Sequence, residues 1–164
     1  MSKFYAKAGF LILLLAFQSH VRASQCKQAL SVALNRWKAS QYSLDRAYEA
    51  KRGDPYRQEK IKRALDEVSK APIQVMNVIR RAVELMNEGH EDVNSFLVFL
   101  KSRPSLAKNQ LPPQIDSLSK NLNKKYGIFP HTNPDSFWFV EKEAEGKPTY
   151  RLIEFKDLEH FHEP

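Results

Sequence analysis

Two short stretches hold most of the side chains that could act chemically. In "HTNPD", His131, Asn133 and Asp135 stand at alternate positions in a loop, and loop groups held on a rigid scaffold are where catalysis tends to occur. An enzyme built on His131 and Asp135 is the catalytic reading of this stretch. The same residue types make turns, with Asn133 and Asp135 bonding to nearby backbone and Pro134 fixing the bend, and turn chemistry is the reading the sequence favours.

The second stretch is "DLEHFHEP", where His160 and His162 accompany Asp157 and Glu159. In a strand the two imidazoles would share a side and could take a metal; in a helix they would diverge. A single His-x-His at a chain end lacks a third placed ligand, so no metal centre is expected. No cofactor is expected either: there is no glycine-rich phosphate loop, zincin helix, Cys-x-x-Cys or haem-attachment motif. Glu141 and Glu143 share a strand face, but Arg151 and Thr149 oppose them, which makes an ion pair a better account than a carboxylate dyad.

Cys26 is the only cysteine, so no internal disulfide can form and burial must supply the stability. It lies on the apolar stripe of the first helix and reads as a small buried hydrophobe, with cross-linking to another chain as the alternative. Its neighbourhood also decides the compartment. Residues 1–23 have the three parts of an export signal: Lys3 and Lys7, the apolar run "AGFLILLLAF", and a polar end closing on Val21-Arg22-Ala23. Ten apolar residues fall short of the roughly 20 that span a bilayer. Lipid attachment at Cys26 is the lesser alternative, because Gln25 before it is neither small nor apolar.

Cleavage after Ala23 leaves one domain, 24–164, expected in the periplasm or secreted. The leading segment holds Lys3, Lys7 and Arg22 and no acid, so the net charge of +7 drops to +4 on 24–164. Such a charge can favour an envelope protein or an anionic envelope surface as partner, but it reads first as an ordinary solubility charge, and outside the cytoplasm no nucleic acid is expected as the natural partner.

The elements that must position these groups are mostly helical. From Ser24 an apolar stripe of Cys26, Leu30, Ala33, Leu34, Trp37, Leu44, Ala47 and Tyr48 predicts a first helix, ended by "RGDP" at Arg52 to Pro55. A second helix is expected over Pro55 to Lys70 on a seam of Ile61, Leu65 and Val68; the bases clustered around this corner read as a solvated face. Pro72 separates it from a third, which carries Ile73, Met76, Ile79, Val83 and Met86 and stops at Gly89. "EDVNSFLVFLKSRP" reads as a fourth helix, with a strand over Phe96 to Leu100 as the alternative. Pro113 to Tyr126 reads as a fifth, ending at Gly127.

Two aromatic and β-branched runs then flank Gly146 and Pro148, a hairpin over about 136–156 followed by a short tail. A five-residue turn sets Phe137 opposite Phe155 and Phe139 opposite Ile153. The fold class expected is therefore mainly α with a C-terminal β-hairpin, a bundle of about five helices covered on one side by two strands. If the bundle covers only one hairpin face, Trp138, Val140, Tyr150 and Leu152 on the other form an exposed binding patch, the alternative being that a loop or the tail covers it. The functional expectation is an exported binding module rather than an enzyme.

Overall fold

In the computed structural model, residues 3–50, 52–143 and 147–161 are described, with side chains from Gln25 onward except Lys108. The chain is mostly helical with a C-terminal antiparallel sheet. Helix α1 runs Lys3–Glu49 and α2 Arg57–Asn87, laid against each other as a helical hairpin. A 3-10 turn at Glu91–Val93 leads into α3 (Asn94–Ser102), and another at Lys108–Gln110 precedes α4 (Pro113–Lys120). Strands β1 (Tyr126–Pro130), β2 (Ser136–Lys142) and β3 (Pro148–Glu154) form a sheet in chain order, and α5 (Phe155–Glu159) closes it. Among the described residues no helix is long and apolar enough to cross a membrane.

Three expectations are corrected. Helix α2 is one continuous element through Pro72, where the sequence suggested a break. A proline inside a helix lacks the amide that would bond back one turn and costs about 3 kcal/mol relative to alanine. Burial of Ala71, Pro72, Val75 and Ile79 in succession on one side offsets that local preference. Second, the fifth helix stops at Lys120, and Tyr126–Pro130, read as helix end and loop, is the first strand of a three-stranded sheet. Gly127 is no helix stop. It sits opposite Val140 in β1, where a Cβ would come within 2.7 Å of Leu122 Cδ1. Third, the β2–β3 register is two residues tighter than expected, with Phe137 opposite Ile153 and Trp138 opposite Leu152. An even shift leaves every side chain on its expected face.

That alternation places the sheet between two apolar layers. On one face Phe137, Phe139 and Ile153 join Tyr126, Phe155 and Leu158 against Leu30, Leu34, Val75, Ile79, Phe96 and Leu100 of the helices. On the other face Trp138, Val140 and Tyr150 pack with Ile115, Leu106, Leu111, Leu122 and Phe129. The amide of Leu106 also bonds the carbonyl of Tyr150 at 2.9 Å, so the outer edge of β3 is not left open. At the other edge Asn87 acts as a surrogate strand: its Nδ2 donates to the Tyr126 carbonyl and its Oδ1 accepts the Tyr126 amide, both at 2.9 Å.

The helix end before this contact is as the glycine suggested. Gly89 has φ 77°, its amide bonds Met86 O, and the His90 amide reaches back to Leu85 O at 3.0 Å. These two bonds are a Schellman closure, which satisfies the last carbonyls of α2 and turns the chain towards α3.

Candidate functional site

The expected binding patch is covered. Trp138 and Tyr150 are each 4% exposed and Val140 not at all, while Leu152 is half-buried. The segment between α3 and β1 folds back over them, so the covered alternative is the one realised and these residues are a second core. Tyr150 Oη is fixed there by Ser119 Oγ at 2.6 Å and Asp116 Oδ1 at 3.3 Å. The tail lies on the opposite side: Leu158 is fully buried in the main core, and Phe161 packs on Phe96 and Phe99.

The "HTNPD" loop is tied down by its own polar groups. His131 Nδ1 accepts the Asn133 amide at 3.0 Å, which makes the other ring nitrogen the protonated one, and the ring lies edge-on to Trp138. Asn133 Oδ1 accepts the Asp135 amide at 3.0 Å. The Asp135 carboxylate accepts the indole N–H of Trp37 at 2.8 Å, and its carbonyl accepts the amide of Phe155 at 2.9 Å. Each of these groups has a partner suited to holding the loop against α1 and α5, and the observed bonds pair neither His131 nor Asp135 with the other.

His160 is exposed at the end of α5, and His162 lies outside the described residues. Among the described residues no group of three or more His, Cys, Asp or Glu side chains is placed to hold a metal. Glu141 is buried and meets Lys101 at 2.7 Å and Arg151 at 3.7 Å. The Glu141–Arg151 pair expected from the strands is thus present, diagonally rather than directly across, because Glu141 stands opposite Thr149.

What remains is a surface that the helical periodicity did not single out. Beyond Trp37 and Ala71 the α1–α2 hairpin extends past the two apolar cores, and its seam is made of small residues: Ser40, Ala47, Ala64 and Ala71 are the buried ones. Small side chains let the helices approach closely, and the larger residues expected in the seam are displaced outward. Tyr48 is 52% exposed and Leu65 is exposed too, as are Tyr42 and Tyr56. An open depression of about 1040 Å³ runs along this arm, lined by Tyr42, Arg46, Glu49, Lys60, Arg63 and Glu67 among others.

The tip of the arm is built to hold its shape. Arg57 Nε donates to the Ala50 carbonyl at 3.1 Å and Nη2 to Tyr48 at 3.3 Å, placing a cation on the negative end of α1. Asp54 accepts Lys60 Nζ at 2.7 Å and the Tyr56 amide at 2.9 Å, and these bonds hold its carboxyl below the usual range. Arg63 pairs with Glu59, and Arg46 donates to Tyr42 Oη at 2.9 Å. Arg52 and Lys62 are exposed, and no ion pair with a carboxylate is present for either among the described residues. Positions 46–63 carry seven Lys or Arg against Glu49, Asp54 and Glu59, a net charge of +4. That equals the net charge of 24–164, so the rest of that span is neutral in sum.

No protein-family model, no curated protein and no solved structure matches this chain.

Proposed function

We propose that the chain is an exported binding module whose helical arm attaches it to an anionic lipid surface of the cell envelope. The observation that carries this reading is the concentration of the net charge of 24–164 in the 18 residues at the arm's tip. Exposed Tyr48 and Tyr56 flank the bend there. A basic segment near an anionic bilayer gains about 1 kcal/mol per Lys or Arg that reaches the surface, and tyrosine suits the headgroup region because its ring is apolar and its hydroxyl wet. The globular end, with both sheet faces covered, is then the part held away from the surface. Catalysis through His131 and Asp135 has less support, since both groups are engaged in loop bonds.

The test is co-sedimentation with vesicles of phosphatidylglycerol and phosphatidylcholine mixtures, against phosphatidylcholine alone. Binding should require the anionic lipid and weaken with salt. The double variant Arg52→Glu with Lys62→Glu should bind at least about tenfold more weakly with unchanged helicity. Equal binding to both vesicle types, or a variant that binds as the parent does, would overturn the reading. Export itself is checked by intact mass in the native host, where a chain beginning at Ser24 is expected.

A further inference from the structure

A separate cavity of about 210 Å³ lies at the other end of the helical hairpin, where α1, α2, the start of α3 and the tail meet. Its floor is core: Leu30, Ile79, Ala82, Val93 and Phe96 are each no more than 5% exposed. Walls of that kind are already in place before anything binds, so a guest need not open them. The cavity exceeds the roughly 150 Å³ at which an apolar hole stays dry and admits benzene. It is only half enclosed, and polar groups occur at its rim, where Lys27, Asp92 and Ser95 sit. Lys27 and Ser95 are exposed, and the Lys27 ammonium stands over the ring of Phe161, 5.9 Å from its centre.

We propose that this cavity binds a small amphiphile, with a short acyl chain on the apolar floor and an anionic head at Lys27. The tail's fit follows from the lining: apart from the three rim residues every wall is aliphatic, aromatic or the Cys26 thiol. The head's charge follows from Lys27, the one cation among the lining residues, whose ammonium stands by the ring of the wall residue Phe161. Asp92, half-buried in the same lining, repels an anionic head and works against it. Phe161 forms one wall and lies tilted against Phe96 and Phe99, with ring centres 5.1 and 5.5 Å apart, so occupancy would be felt at the end of the tail. Burial pushes the Cys26 thiol up, against a lowering influence of Arg81, which slows its reactions without abolishing them. A saturated carboxylate amphiphile offers no electrophile to the thiol, so its binding is reversible and forms no covalent bond.

Octanoate, octanol and octylamine are the probes, titrated separately into the full chain by calorimetry and by two-dimensional amide NMR. Octanoate should bind saturably, shifting the amides of Leu30, Ile79 and Phe96. It should also slow alkylation of Cys26 by about fivefold, incompletely because the same residue borders a second, more open depression beside Arg81. Octanol should bind about fivefold more weakly than octanoate, and Lys27→Ala should remove that difference. Val78→Trp, at a half-buried wall position, should abolish binding while leaving the circular dichroism unchanged; Ser95→Trp at the exposed rim is the second block should the first disturb the fold. No saturable shift with octanoate, or undiminished binding by a folded blocking variant, would overturn the site. A preference for octylamine would overturn the assignment of the head to Lys27.

Discussion

The indole N–H of Trp37 donates to the Asp135 carboxylate at 2.8 Å, joining α1 to the loop before β2 across 98 positions of sequence. Trp37 also lies edge-on to Phe155, 5.7 Å between ring centres, so one side chain clamps both ends of the β2–β3 unit to the first helix. Asp135 is accordingly a positioning residue for the fold. A hydrogen bond to a charged group contributes about 1.5–3 kcal/mol.

Asp135→Ala should lower stability by that amount, and Trp37→Phe, which keeps most of the ring, by a similar one. In a double-mutant cycle the two losses should fall well short of additivity, since each removes the same bond. Additive losses in urea denaturation would show that the bond contributes little.

Gly89 and Gly53 separate two reasons for a glycine. A Cβ at either would meet nothing within 4 Å, but only Gly89 has a positive φ. Gly89→Ala should therefore cost about 1 kcal/mol from backbone strain in the Schellman closure. Gly53→Ala should be neutral or slightly stabilising, by reducing the freedom of the unfolded chain. Equal losses at the two positions in thermal denaturation would contradict this.

Elements with strong periodicity were legible in the sequence, and so were the two faces of the sheet, because a register error of two residues cannot exchange them. The break expected at Pro72 failed because burial along α2 outweighed a local preference. Strand β1 was missed because "YGIFP" contains Gly127 and Pro130 and has no alternating polar positions; its partner β2 and the side chain of Asn87 make it a strand. The patch of Trp138, Val140, Tyr150 and Leu152 was correctly grouped on one face, but what covers it depends on the path of the 103–122 segment, which no local pattern encodes. The bases Arg52, Lys60, Lys62 and Arg63 do lie on an exposed face, as their interleaved acids suggested, whereas the outward turn of Tyr48 depends on the close helix approach at Ala47 and Ala64, which the stripe did not reveal.

Glu141 is 6% exposed, while the side chains of its partners Arg151 and Lys101 are 12% and 42% exposed. Removing the carboxylate leaves a largely buried guanidinium without its counter-charge, held only by its bond to the Arg103 carbonyl, whereas removing Lys101 leaves Glu141 with Arg151. Glu141→Gln should cost about 3 kcal/mol. Lys101→Ala should cost about 1 kcal/mol or less, because its ammonium reaches water. Chemical denaturation of the two variants checks the order, and a larger loss at Lys101 would reverse the assignment of the pair's weight.

Tyr150 links the covered sheet face to pH. Burial pushes its phenol above the ordinary value near 10, a shift reinforced by Asp116 and opposed by the Ser119 hydrogen bond and Lys120. The folded chain therefore holds this proton more tightly than the unfolded one. Its contribution to stability is complete below the unfolded value and is lost as the pH rises through the folded one. Tyr150→Phe should cost about 1–2 kcal/mol at neutral pH through the bonds to Ser119 and Asp116. The gap between parent and variant should then narrow at pH 10.5 and above, because phenylalanine has no proton to lose. Denaturation of both proteins at pH 8 and pH 10.5 measures that gap directly, and a constant gap would mean that the Tyr150 hydroxyl ionises as freely in the folded chain as in the unfolded one.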